Sequence, residues 1–188
     1  HRWVISCGDT LIETVDGPKP IKELVGKVGE CYCWDGEKIV VSEFGGACVT
    51  QESAEVFEIA FETGAKLKAT ANHKVLTAAG WKMVSELSED DKIHEFRDVE
   101  AAFTSVNGIT PAGTETVYNM TVEKHHNYLI SGGIILKNCD ALRYYCQSRF
   151  LAPEIQSQYQ YDDDEEETVM DYQTAMCGGS ASASYITY

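Results

Sequence analysis

Apolar and polar residues alternate with a period of two along most of the chain as far as residue 131, and turn-forming residues interrupt the alternation at short intervals. Segments 10–15, 31–34, 38–42, 56–62, 66–71, 74–77, 92–96, 116–123 and 127–131 read as strands. Asp16-Gly17-Pro18, Asp35-Gly36 and Thr63-Gly64 supply turns between them. Short helical pieces are expected at 20–25 and 83–87. Many short strands with turns between them predict an all-β domain. The pattern changes after Asn138. Leu142, Tyr145, Cys146 and Phe150 fall at helical spacing within 140–152. Beyond them come six consecutive acids at 162–167 and a Gly/Ser/Ala stretch at 178–183, which offer little with which to build a core. A helical or disordered tail is expected there, with the boundary at Asn138/Cys139.

Composition narrows the function classes. Apolar residues make up 44% of the chain, as in an ordinary globular domain, and the net charge is −15. That acidity argues against a sequence-independent nucleic-acid binder, which needs basic surface. No apolar run approaches eighteen residues, so no membrane span is expected. The seven residues through Cys7 are too short for a signal peptide. Together with an odd count of seven cysteines, this predicts free thiols and a cytoplasmic protein. Cys31-Tyr32-Cys33 has one residue between its thiols, a spacing that suits alternation along a strand rather than a zinc knuckle. Neither a metal nor a cofactor is expected, and a monomer is.

The candidate chemistry lies in four places. Cys7 opens the β region, Thr70-Ala71-Asn72-His73 sits near its middle, His125-His126 follows a late strand, and Lys137-Asn138-Cys139 closes it. A thiolate attacks carbonyl carbon. An imidazole moves protons at neutral pH. An asparagine amide can attack its own backbone carbonyl and break the chain after itself. These groups suffice for peptide-bond exchange, but they are far apart in sequence, and composition alone does not assemble them.

Local motifs do. Cys7-Gly8-Asp9-Thr10-Leu11-Ile12 with Gly17-Pro18-Lys19-Pro20-Ile21 resembles the N-terminal splicing block of inteins. The segment 64–77 resembles their second block through Thr70-Ala71-Asn72-His73. Val117-Tyr118-Asn119-Met120-Thr121-Val122-Glu123, His126-Asn127-Tyr128 and Gly133-Ile134-Ile135-Leu136-Lys137-Asn138-Cys139 resemble the two C-terminal blocks. The blocks occur in order and frame residues 7–138. The resemblance implies the Hint fold, a horseshoe of β-strands whose termini meet at one site. It also implies residues 1–6 as N-extein, 7–138 as splicing domain and 139–188 as C-extein. The implied chemistry is autocatalytic. Cys7 attacks the Ser6 carbonyl, and His73 assists with Thr70 and Asn72. Cys139 takes over the acyl group, and Asn138 cyclises. The segment 78–113 is too short to hold a homing endonuclease, which implies a mini-intein.

Two positions depart from the family pattern. Lys137 stands where histidine is usual, and an ammonium is ordinarily a poor proton shuttle at neutral pH; His126 is therefore expected to carry the C-terminal acid–base work. Asn119 stands where aspartate is frequent, which favours cleavage side reactions. His125 and His126 are expected on opposite faces of a strand, only one of them facing the site. Cys139-Asp140-Ala141-Leu142-Arg143-Tyr144 resembles a motif of phage terminase large subunits, which implies a DNA-packaging host. The expected partners are the domain's own exteins. The competing readings are a Hint domain that only cleaves and a non-catalytic β binding module.

Overall fold

The computed structural model describes residues 6–97 and 100–138. The expected C-terminal helix, the acidic run, Cys139 and Asp140 all lie outside the described residues. Those described form twelve strands and two short 3-10 turns, with no α-helix among them. The strands are β1 (Ser6–Cys7), β2 (Leu11–Thr14), β3 (Gly17–Pro20), β4 (Gly29–Trp34), β5 (Ile39–Phe61), β6 (Lys66–Ala69), β7 (Lys74–Thr77), β8 (Gly80–Met83), β9 (Lys92–Arg97), β10 (Glu100–Val122), β11 (Asn127–Leu129) and β12 (Ile135–Lys137). The expected helical pieces are the 3-10 turns Ile21–Leu24 and Val84–Glu86. Each is one turn long and buries its apolar residues: Ile21 and Leu24 in the first, Val84 in the second.

Not all the strands are short. β5 and β10 are each 23 residues long and run antiparallel from Val106↔Phe61 to Val122↔Phe44. Five register shifts punctuate this ribbon, including one between Pro111 and Thr114. A proline has no N–H to give the ladder, and a bulge absorbs the loss while the strand continues. The broken alternation around Gly45-Gly46 and Pro111-Ala112-Gly113 thus reflects bends within two strands, not ends of several.

The neighbour order is β11-β12-β7-β9-β10-β1-β6-β5-β4-β2-β3, with β8 on β7 and a further β10–β5 pairing. Strands β5, β10, β1 and β6 therefore form a closed circuit. Although β1 is only two residues long, it is held on both edges: Ser6 faces Ala69 on one side and Tyr118 on the other. The core beneath is built from Ile12, Ile59, Met120, Tyr128, Ile134 and Leu136 among others, all almost fully buried. Period-two burial is plain in β4, where Cys31 and Cys33 point inward and Tyr32 between them does not. Cys7, Cys31 and Cys33 are free thiols, as expected, whereas Cys48 is disulfide-bonded.

One tight approach fixes the last hairpin. Gly133 has φ of 82°, and its carbonyl accepts the Phe96 N–H at 2.9 Å. A Cβ there would overlap the Phe96 backbone, which cannot retreat without breaking that bond. We expect Gly133→Ala to destabilise the fold by at least about 2 kcal/mol. At Gly132, also left-handed, an added Cβ would meet only the Ala65 side chain, at 3.1 Å, so Gly132→Ala should cost less. Urea unfolding of the two variants checks the order.

Candidate active site

Backbone pairing assembles the site. Cys7 lies on β1 opposite Val117 of β10, and its residue is 5% exposed. Ser6 pairs with Ala69, the last residue of β6, so the chain that follows, 70–73, leaves β6 at the level of Ser6. The same four residues lead into β7, which pairs with β12 through Val75↔Leu136. Continuing that antiparallel register sets Lys74 opposite Lys137 and His73 opposite Asn138. A single loop therefore adjoins both ends of the segment 7–138.

The loop is internally fastened. Its His73 N–H donates to the Thr70 carbonyl at 3.0 Å, and the Thr70 hydroxyl donates to Asn72 Oδ1 at 2.8 Å. The Val84 N–H donates to the His73 carbonyl and the Ser85 N–H to the Ala71 carbonyl, both at 2.8 Å. Thr70 and His73 are buried, the imidazole residue completely. Asn119 is also buried, on β10 next to Tyr118, and its Oδ1 accepts the Met120 N–H at 2.9 Å.

At the other end, Asn138 is 3% exposed, its N–H donates to the His126 carbonyl at 3.0 Å, and its Oδ1 has no hydrogen-bond partner among the described residues. His126 has φ of 54°, the left-handed conformation that non-glycine residues seldom take. This corrects the expected placement of His125 and His126 on opposite faces of a strand. Both lie in the turn between β10 and β11, where the alternation rule does not apply, and both line one cleft of about 340 Å³ with Trp81 and Lys137. Lys137 sits on β12 with its Nζ 5.7 Å from the centroid of the Trp81 ring. Cys139 falls outside the described residues.

The structure adds three residues that the sequence reading did not assign. Tyr128 is fully buried, and its hydroxyl lies 3.2 Å from Ser6 Oγ, itself fully buried. Burial raises the Tyr128 phenol to about 12. Glu115 and Lys68 flank Cys7, with Lys68 Nζ 2.9 Å from Glu115 Oε1. Burial pushes the Cys7 thiol well above its ordinary range, and the adjoining Glu115 carboxylate pushes it further. Tyr128 lies inside a quoted block but carries no local signal of its partner. Lys68 and Glu115 are 47 positions apart, and nothing in the one-dimensional pattern pairs them.

The Ser6–Tyr128 contact is testable by stability. Tyr128→Phe or Ser6→Ala each leaves one buried hydroxyl unpaired, an expected loss of about 1–2 kcal/mol. The double variant should lose less than the sum of the two. A double-mutant cycle by chemical denaturation measures it; strict additivity would mean that the two hydroxyls do not interact.

No family model matches the chain. A replicative DNA helicase DnaB of Nostoc sp. is 39% identical over 90 residues, which is 43% of this chain and 10% of the helicase. The chain thus spans about a tenth of that relative's length. This relative is not a terminase, and it gives the terminase host no support. Among solved structures, a variant of the Ssp DnaB mini-intein superposes with a TM-score of 0.69 at 26% identity, covering 74% of this chain and 98% of that one. A DnaB intein from Synechocystis sp. PCC 6803 gives 0.68 at 28% identity, covering 72% of this chain and 99% of that one. The described part of this chain has the Hint fold shared with the DnaB mini-inteins.

Proposed function

We propose that this chain is a mini-intein that excises residues 7–138 and joins its flanking segments through a new Ser6–Cys139 peptide bond. The observation that supports the reading is the loop 70–73, which joins the strand paired with β1 to the strand paired with β12, the strands that carry Cys7 and lead to Asn138. Cys7 attacks the Ser6 carbonyl, and the peptide becomes a thioester. Completely buried in the loop that leaves β6, His73 protonates the departing amine, while Thr70 and Asn72 fix that loop. Cys139 then attacks the thioester and takes the acyl group. The Asn138 amide attacks its own carbonyl, forms a succinimide and releases the domain. A final S-to-N shift leaves the ordinary peptide. The reaction needs no cofactor and acts on the chain's own flanks. The host of those flanks is a separate proposal, and we retain the terminase reading only as what Cys139-Asp140-Ala141-Leu142-Arg143-Tyr144 suggests.

A second reading, cleavage without ligation, draws on Lys137 and Asn119. The Lys137 ammonium rests over the Trp81 face, and Asn119 supplies an amide where a carboxylate is frequent. Mass spectrometry of the purified full chain separates the two. Splicing yields a ligated 1–6/139–188 product and a free 7–138 fragment; cleavage yields unligated pieces. Cys7→Ala should abolish thiol-induced release of residues 1–6, and Asn138→Ala should block release of the C-terminal segment. Normal ligated product from either variant overturns the proposal.

The division of labour at the C-terminal junction gives a further prediction. A lysine ammonium can polarise a carbonyl oxygen but cannot accept a proton, whereas histidine can do both. Lys137→His should therefore accelerate Asn138 cyclisation, and His126→Ala should slow it more than Lys137→Ala does. Proton transfer by a placed group is worth roughly 10²–10⁴ in rate, so a time course of C-terminal cleavage resolves the three variants. A slower Lys137→Ala than His126→Ala would move the shuttle to Lys137.

A further inference from the structure

The wall beside Cys7 carries two charged side chains that the splicing steps leave without a role. The Ser6↔Ala69 pairing makes Lys68 the cross-strand neighbour of Cys7 on β6. On the other edge Cys7 faces Val117, and Glu115 lies two residues earlier along β10, on the same face. Cys7, Lys68 and Glu115 line one open cavity of about 500 Å³. The Cys7 thiol and the Glu115 carboxylate share this wall, and the Lys68 ammonium holds that carboxylate at 2.9 Å. The remaining charges lining the cavity are Asp9, paired with Lys22, and Glu58, paired with Lys66 at 3.2 Å.

We propose that Glu115, positioned by Lys68, is the catalytic residue that accepts the Cys7 thiol proton in the first step. This rests on the splicing reading and supplies what that reading lacks, a destination for the proton. The Cys7 sulfur lone pair forms a bond to the Ser6 carbonyl carbon, the carbonyl π pair moves onto oxygen, and the S–H proton passes to Glu115. Collapse of the adduct breaks the Ser6–Cys7 C–N bond. The amine leaves with a proton from His73, and Glu115 returns its proton to solvent. No electrons are gained or lost.

The environment favours this concerted route over attack by a preformed thiolate. Burial and the Glu115 charge both hold Cys7 as neutral thiol near neutral pH. The neighbouring Cys7 thiol and the Lys68 ammonium hold Glu115 below the usual carboxylate range, so it is ionised at neutral pH and ready to accept. As the S–C bond forms, the sulfur proton becomes far more acidic than a carboxylic acid. A base of intermediate strength is then protonated during the step. Once Glu115 is neutral, Lys68 faces the negative adduct and stabilises it.

The test uses the full chain in an Asn138→Ala/Cys139→Ala background, which isolates the first step. Thiol-induced release of residues 1–6 is followed by mass spectrometry between pH 6 and 10. Glu115→Gln should slow release about 10²-fold at pH 7, and the deficit should narrow toward pH 10 as hydroxide replaces the missing base. Glu115→Asp should recover part of the rate, and Glu58→Gln, on the same cavity, should match the parent. Lys68→Met should slow release less than Glu115→Gln. A Glu115→Gln rate equal to or above the parent at pH 7 overturns the assignment, since it means that the carboxylate only suppresses the thiol. Equal, pH-independent losses in Glu115→Gln and Lys68→Met also overturn it, because that is what a purely structural ion pair gives. Failure of the splicing reading is read separately: the parent then shows no thiol-induced release, or Cys7→Ala retains it.

Discussion

Everything at this site depends on two antiparallel ladders meeting in four residues. β6 ends at Ala69 against Ser6, and β7 begins at Lys74 beside the strand that ends at Lys137. The loop between them cannot shift without breaking one ladder or the other. It is further pinned by the bonds from Val84 and Ser85 to the His73 and Ala71 carbonyls. A buried imidazole in such a loop is held at a defined place relative to both chain junctions, without any direct contact between those junctions being required. Orientation of this kind, set by backbone hydrogen bonds rather than by side-chain contacts, is how a fold supplies effective concentration to groups distant in sequence.

The two junctions sit in different electrostatic settings. At the first, a two-residue strand is enclosed by β6 and β10, and burial, with a carboxylate beside it, keeps the resting thiol neutral. A free thiolate there would attack its neighbouring carbonyl, or an external electrophile, at any time. A buried neutral thiol beside a carboxylate would react only as its proton departs. At the second junction there is no comparable carboxylate among the lining residues other than Asp35. The cleft instead carries His125, His126, Lys124 and Lys137. Cationic and imidazole groups suit a step in which a carbonyl oxygen gains negative charge and an amide must lose a proton. The difference follows the different chemistry that the proposed reaction assigns to each end.

Much of this was legible in the sequence, for reasons that differ from residue to residue. The strands around Leu11, Cys31, Lys74 and Lys92 announce themselves by alternation between strong turns, and the structure places strands there. Local motifs also singled out Cys7, Thr70, His73 and Asn138 as candidates, because each lies in a contiguous stretch. The length of β5 and β10 was hidden because bulges break the alternation while the hydrogen bonding continues. The turn at His126 was hidden because a left-handed histidine has no residue signature comparable to that of glycine. Glu115 and Lys68 were hidden for the plainest reason: their partnership is a product of register, and register between β6, β1 and β10 is written in tertiary pairing.

The left-handed His126 shows how such a hidden feature bears on chemistry. Its strained backbone turns a carbonyl toward the Asn138 N–H, and that hydrogen bond anchors the residue whose side chain cyclises in the proposed reaction. Succinimide closure requires the Asn138 side-chain nitrogen to approach its own carbonyl carbon, a motion of the side chain against a fixed main chain. An unanchored terminus would have to lose backbone freedom at the same moment, at a cost of about 1–2 kcal/mol per residue. Here that freedom is already lost in the folded state. The same turn places the imidazole in the cleft that Lys137 lines. In the proposed reaction, one unusual backbone conformation would thus serve both the geometry of cyclisation and the placement of its proton shuttle, and a lysine at position 137 would be accepted because the shuttle need not come from that strand.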